Sequence, residues 1–227
     1  MRFRLFALFA LCGLAVTPGL AVINSASLTL AFDPPHSPPA VVILRPADYL
    51  CATVTVRSTA KDVDRQALAV QETVRRLTTA VQRSATFQLH QGPARIFGAS
   101  SGSSFLSGKT NYAPGNLQTS LRILSPLTPD AEIFEVIRQI SLFVARIEVP
   151  NDAEVRVVTT TLAVADAELQ RDRLMQLIRE QIAKTREQLG ANVLTVTGLD
   201  GPVLVRHLDN LSVELYLDYQ LSATLEK

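Results

Sequence analysis

LCATVTVRSTAKDVDRQALAVQETVRRLTTAVQRS, residues 50–84, changes its hydrophobic period midway, and that change decides the fold class. Over residues 50–57, Leu50, Ala52, Val54 and Val56 alternate with Cys51, Thr53, Thr55 and Arg57. A period of two sends successive side chains to opposite faces, so this is a half-buried strand. From Asp62 the spacing becomes four and three. Val63, Ala67, Val70, Val74, Leu77 and Val81 then line one face of a helix over about 62–84. Asp62, Asp64 and Glu72 lie toward its start and Arg75, Arg76 and Arg83 toward its end, matching the helix dipole. A strand with one apolar face and a helix with one apolar stripe each need cover.

The same two rhythms continue downstream. A short strand is predicted at 86–89. Residues 91–116, QGPARIFGASSGSSFLSGKTNYAPGN, carry no period and read as a Gly/Ser-rich loop or loose hairpin. Residues 117–124 alternate as a strand. Thr128-Pro129-Asp130 reads as a helix start, with Thr128 as N-cap and Pro129 in the first turn. That helix is expected to run to about Ala145, with Ile133, Val136, Ile137, Ile140 and Val144 inward. Pro150-Asn151-Asp152 makes a turn before a strand over 155–164. A third helix spans about 166–189 on a stripe of Leu174, Leu177, Ile178, Ile182 and Leu189, with Gly190 as its C-cap. Its charged residues, from Glu168 and Arg171 to Glu187, pair at helical spacings as a solvated face. A strand at 193–197 and a turn at 200–202 follow. In the closing strand, Val213, Leu215, Leu217, Tyr219 and Leu221 alternate with Glu214, Tyr216, Asp218 and Gln220, which are expected to meet water. The expected class is α+β: a largely antiparallel sheet with two to three long amphipathic helices packed on one face.

Upstream, MRFRLFALFALCGLAVTPGLA (1–21) has a basic start at Arg2 and Arg4 and an apolar run from Leu5 to Val16. That run is too short to span a bilayer and fits a secretory signal peptide, with cleavage expected after Ala21. Residues 22–46 contain the proline-rich DPPHSPPAVVILRP (33–46) and read as an extended leader, with Val41 to Leu44 able to pack on the domain that follows over 47–227. Cleavage takes the 22 basic residues to 20 against 21 acids. A near-neutral chain offers no basic field for nucleic acid, and no membrane span is expected after cleavage. Only Cys51 then remains. A single thiol makes no internal disulfide, and on this strand it reads as a small buried hydrophobe.

Three motifs invite chemistry. Gly98-Ala99-Ser100-Ser101-Gly102 fits the hydrolase pattern G-x-S-x-G, and His207 is the only histidine downstream of it. The pattern needs a strand before the serine and a helix after it, and Ser103 to Gly108 make no helix. Ser107-Gly108-Lys109-Thr110 resembles the end of a phosphate-binding loop, but Gly102 lies one residue too far upstream and no helix follows. His36, His90 and His207 are scattered, so no metal site and no cofactor are expected. Asp200 and Asp209 read as turn residues.

The order of elements carries a resemblance. VTVRS (54–58), LRIL (121–124), the late helix ending in Leu189-Gly190 before Val193 to Val196, and the strand over 213–221 resemble the SIMPL-domain family of exported bacterial proteins, over about residues 47–225. The Gly/Ser stretch at 91–116 departs from the aromatic-rich segment expected there. The resemblance implies a periplasmic or cell-envelope protein associated with envelope or oxidative stress, and no agreed catalytic residue. The leading expectation is therefore an exported protein acting by binding or assembly, as a homo-oligomer or with an envelope partner. The alternative is a periplasmic serine hydrolase using Ser100 and His207.

Overall fold

The computed structural model describes residues 27–33, 40–97, 116–190 and 193–224. The chain is α+β. Its main sheet is antiparallel and five-stranded, built from β1 (Leu28–Leu30), β3 (Tyr49–Ser58), β4 (Gln88–Phe97), β5 (Asn116–Pro126) and β6 (Ala153–Ala165), in the spatial order β1-β6-β3-β5-β4. A second sheet of three antiparallel strands joins β2 (Ile43–Pro46), β8 (Leu204–His207) and β9 (Ser212–Tyr216), in the order β2-β9-β8. A two-stranded ribbon pairs β7 (Val193–Thr197) with β10 (Gln220–Thr224). The helices are α1 (Val63–Arg83), α2 (Ile133–Ala145) and α3 (Arg171–Leu189). Two strands, β1 and β2, come from the segment read as a leader.

β3 is the centre of the main sheet because β5 and β6 pair with its two edges. Ala52, Val54 and Val56 are fully buried together with Leu77, Leu121, Ile123, Ile140, Leu174 and Ile178. Burying each large aliphatic contributes about 1.5–3 kcal/mol, so this cluster dominates the stability. On the opposite face Cys51 packs in a smaller cluster with Leu124, Ala163, Leu28, Leu30 and Tyr49. β6 bulges opposite Thr53 and Val54, where Val158 is skipped in the pairing and stands exposed. A bulge of this kind bends one strand and increases its twist.

Several sequence expectations change. The buried face of α1 is Gln66, Ala69, Val70, Thr73, Leu77 and Val81, while Val63 is 65% exposed and Ala67 is exposed. Counting only apolar residues misses this face because two of its members are polar and satisfied. Gln66 donates from Nε2 to the Ala60 carbonyl at 2.9 Å and accepts at Oε1 from the Leu117 N–H at 3.2 Å. Thr73 donates back to the Ala69 carbonyl at 2.7 Å. Buried polar groups with partners carry little penalty.

α2 begins at Ile133 rather than at Thr128. The Ala131 N–H donates to the Thr128 carbonyl, closing a turn over 128–131. Proline followed by aspartate suits a β-turn as well as a helix start, and the turn prevails here. α3 is likewise delayed: Asp166 is left-handed (φ 48°), and a single 3-10 turn over Ala167–Gln170 precedes the helix. Asp166 holds that geometry through a reciprocal pair with Ser27, donating its N–H to the Ser27 carbonyl and accepting from the Ser27 N–H at 3.0 Å. Leu189, expected inward, is 51% exposed. Gly190 is left-handed (φ 58°) and caps the helix as expected.

β4 runs to Phe97, so residues 91–97 are strand and only 98–115 remain of the expected loop, outside the described residues. The closing strand divides in two, with β9 in the three-stranded sheet and β10 in the ribbon. Its polar face does not all meet water: Glu214 and Tyr216 are buried. Arg206 on β8 covers both, pairing with the Glu214 carboxylate and lying 5.9 Å from the centre of the Tyr216 ring.

Candidate functional site

The C-terminal half of α1 and the end of α2 form the walls of a groove of about 540 Å³. Helical spacing puts Arg75, Arg76, Thr79, Ala80 and Arg83 on the α1 side, three and four residues apart. Phe143, Arg146, Ile147 and Glu148 close the other side, where α2 ends and the chain turns toward β6. Phe143 is held by Phe87, its ring centre 4.7 Å away at an interplanar tilt of 48°. Four arginines and one glutamate line this volume.

The arginines differ in how firmly they are held. Glu72 accepts from Arg75 Nε and Nη2 and from Arg76 Nε, each at 2.8 Å. Those bonds hold the Glu72 carboxyl down to about 2 from an ordinary 4.5. Arg76 also donates from Nη1 to the Glu148 carbonyl at 3.1 Å, which ties α1 to the segment after α2. Arg83 and Arg146 are exposed, and their side chains have no hydrogen bond or ion pair among the described residues. Both stand at helix C-termini, where a cation is favoured by the partial negative charge of the last carbonyls.

The residues singled out for catalysis are not brought together in the described structure. Ser100 lies outside the described residues, as do His36 and the Ser107 to Thr110 motif. His207 sits on β8 with Nε2 2.9 Å from Thr161 Oγ1. The same Thr161 hydroxyl donates to the Ala31 carbonyl at 2.8 Å. Its one proton is therefore committed to a group that can only accept, so His207 must donate from Nε2. In that tautomer Nε2 cannot take a proton from Thr161, and the pair is a structural link between β6, β8 and the chain after β1. His90 is exposed on β4. Asp209 accepts from the Leu211 and Ser212 N–H groups in the turn between β8 and β9, which keeps its carboxyl below the usual range. Burial pushes the Cys51 thiol up to about 11, which removes the thiolate a nucleophile needs. Among the described residues no group of three His, Cys, Asp or Glu could hold a metal ion. No described helix is long and apolar enough to cross a membrane.

Sequence reading missed the groove. Arg75, Arg76 and Arg83 are visible as a basic helix end, but their neighbours Phe143, Arg146 and Ile147 are sixty or more residues away. No signal in either segment announces the other.

The architecture defines an α+β protein with a central five-stranded antiparallel sheet. No family model and no curated protein matches the chain. Among solved structures it is similar to a hydantoinase/carbamoylase family amidase from Burkholderia ambifaria, at 11% identity and a TM-score of 0.28, covering 69% of this chain and 36% of that one. An amidase of the same family from Burkholderia multivorans gives 13% identity and a TM-score of 0.25, covering 64% and 34%. The chain thus spans about a third of the length of these structures.

Proposed function

We propose that this chain is an exported periplasmic or cell-envelope protein that acts by binding or assembly, in the context of envelope or oxidative stress. The observation that carries the reading is the groove between α1 and α2. Arginine stays protonated at any ordinary pH. Walls of arginine around an apolar floor therefore supply charge, hydrogen bonds and buried area. Such a surface suits recognition more than reaction. In this reading the three helices back one face of the five-stranded sheet as a rigid support. The basic and apolar leader over residues 1–21 and the SIMPL resemblance give the envelope context.

The test is expression of the full chain with a C-terminal tag in a Gram-negative host. The expected product is periplasmic, begins at Val22, and crosslinks to itself or to an envelope protein. A cytoplasmic product retaining Met1, or a strict monomer by light scattering that crosslinks to nothing, overturns the reading.

A further inference from the structure

The geometry points to a binding site for a monoanionic amphiphile, a molecule with one carboxylate-like charge on an apolar body, in the groove between α1 and α2. The inference rests on the binding role just proposed and names its ligand class. Three observations carry it: size, charge balance and the floor.

The volume, about 540 Å³, falls within the range of small-molecule sites, roughly 300–1,000 Å³. The charge is positive but modest. Against the guanidinium groups of Arg75, Arg76, Arg83 and Arg146 stand Glu72, Glu148 and two helix C-termini of about half a charge each. About one positive charge is left uncompensated, which matches a single anionic group. Of these four, Arg83 and Arg146 are the two whose side chains have no partner among the described residues, so they are the ones positioned to take it. Two guanidinium forks at one site suit a planar carboxylate, which accepts two parallel N–H bonds from a single Arg.

The floor supplies the second half of the ligand. Phe143, Ile147 and Ala80 are half-buried there, and the arginine stems add further methylene surface. The Phe87 ring against Phe143 fixes that wall before any ligand arrives, and a preformed apolar wall lowers the ordering cost of binding. A bare inorganic anion leaves this surface wet. A neutral alcohol leaves Arg83 and Arg146 without a counter-charge.

Decanoate is the probe, titrated calorimetrically into the full chain below its micelle threshold, beside decanol, acetate and inorganic phosphate. Saturable one-to-one binding of decanoate is expected, with the other three at least tenfold weaker. Raising the salt from 50 mM to 500 mM should weaken it severalfold. In the double variant Arg83→Gln with Arg146→Gln, affinity should fall about tenfold while the melting temperature stays near that of the parent, because both side chains are exposed. Phe143→Ala should also weaken binding, with Arg57→Gln as an unaffected surface control. The inference is overturned if decanoate does not saturate, if decanol binds as well, or if the double variant binds like the parent. Binding seen only to anionic vesicles, with none to free decanoate, overturns it equally and assigns the arginines to a membrane surface. The envelope role is read separately, by processing at Val22 and by crosslinking, so either can fail while the other stands.

Discussion

Two glycines in left-handed backbone show how much one residue's surroundings decide. Gly190 ends α3 at φ 58°, and a Cβ built there meets nothing within 4 Å. Gly190→Ala should therefore cost only the backbone preference, about 1 kcal/mol. Gly198, just after β7, has φ 88°, and a Cβ would stand 2.5 Å from the Asp218 carbonyl oxygen and 3.3 Å from Tyr219 Cα. Both neighbours are backbone and cannot swing away. Gly198→Ala should lower stability by about 2 kcal/mol or more, and denaturant titration should rank it clearly below Gly190→Ala. Equal losses would mean that the approach of residues 218–219 is misplaced. Only Gly190 was legible from sequence, because a glycine after a helical stripe is a local signal. The need for Gly198 arises from a segment twenty residues later.

Glu72 makes a second prediction at this scale. Its folded value of about 2 lies below the ordinary 4.5 because Arg75 and Arg76 hydrogen-bond the carboxylate. A lowered carboxyl contributes stability that is present above about pH 4.5 and is lost as pH falls toward 2. The group lies at the surface with about 32% of its side chain exposed, so solvent screening keeps the effect small. A carboxyl-resolved NMR titration should place the Glu72 midpoint well below the ordinary 4.5. The stability difference between the parent and Glu72→Gln should shrink between pH 4.5 and 2. A midpoint near 4.5 would show that the two arginines do not hold this carboxylate in solution.

Among the elements, α1 was legible in its span and misread in its rotation. The stripe over Val70, Val74, Leu77 and Val81 is right, since Val70, Leu77 and Val81 are buried and Val74 packs against the core. Extending it back to Val63 and Ala67 fails, because the first turns bury Gln66 and Ala69 instead. Hydropathy cannot score a glutamine as a core residue. What makes it one is a pair of backbone groups, the Ala60 carbonyl and the Leu117 N–H, that need partners at the top of the sheet. Gln66→Ala should remove both bonds and leave those groups unsatisfied, at a cost of about 2–3 kcal/mol. By contrast Val63→Ser, at a position 65% exposed, should change the melting temperature little. Hydrogen exchange at the Leu117 amide should accelerate in Gln66→Ala ahead of the rest of β5. If the two variants melted alike, the helix would have the rotation the apolar count gives.

A similar contrast runs along α3 and the turn before it. Their charges read as a solvated face, and Glu180, exposed and accepting from the Gln176 amide, fits that reading. Arg171 and Glu168 do more. Arg171 donates to the Leu199 and Gly201 carbonyls at 3.1 and 2.6 Å, while Glu168 accepts from the Val203 N–H at 2.8 Å. Together they pin the β7–β8 connection to the start of α3. The sequence shows the salt-bridge spacing of this pair but not the loop that shares it.

Over the whole molecule, the sheet order explains what local patterns could not. β3 is recognisable as a strand, but its place between β5 and β6 follows from pairings some 60 to 115 residues apart. The groove is of the same kind, since its two walls meet only once both helices are packed. Cys51 lets this central position be measured. It lies on β3 with no exposed surface, flanked across the ladder by Leu124 and Thr161. No rotamer change can expose it; β3 must part from a neighbouring strand or from the small cluster beneath. Its thiol, pushed up to about 11 from an ordinary 9.0, has about a hundredfold less thiolate at neutral pH than an exposed cysteine. Because the folded value is raised, Cys51 lowers stability as pH rises from 9 toward 11, where the unfolded thiol ionises and the folded one does not. Labelling of Cys51 by a disulfide reagent at pH 8, in a chain carrying Cys12→Ser, should accordingly be slow, and its rate should track global unfolding across a denaturant series. Gly198→Ala and Gln66→Ala, which act far from the thiol, should each accelerate it in proportion to the stability they remove. Rapid labelling of the native chain, indifferent to those substitutions, would place Cys51 at an edge and break the assignment of β3 to the middle of the sheet.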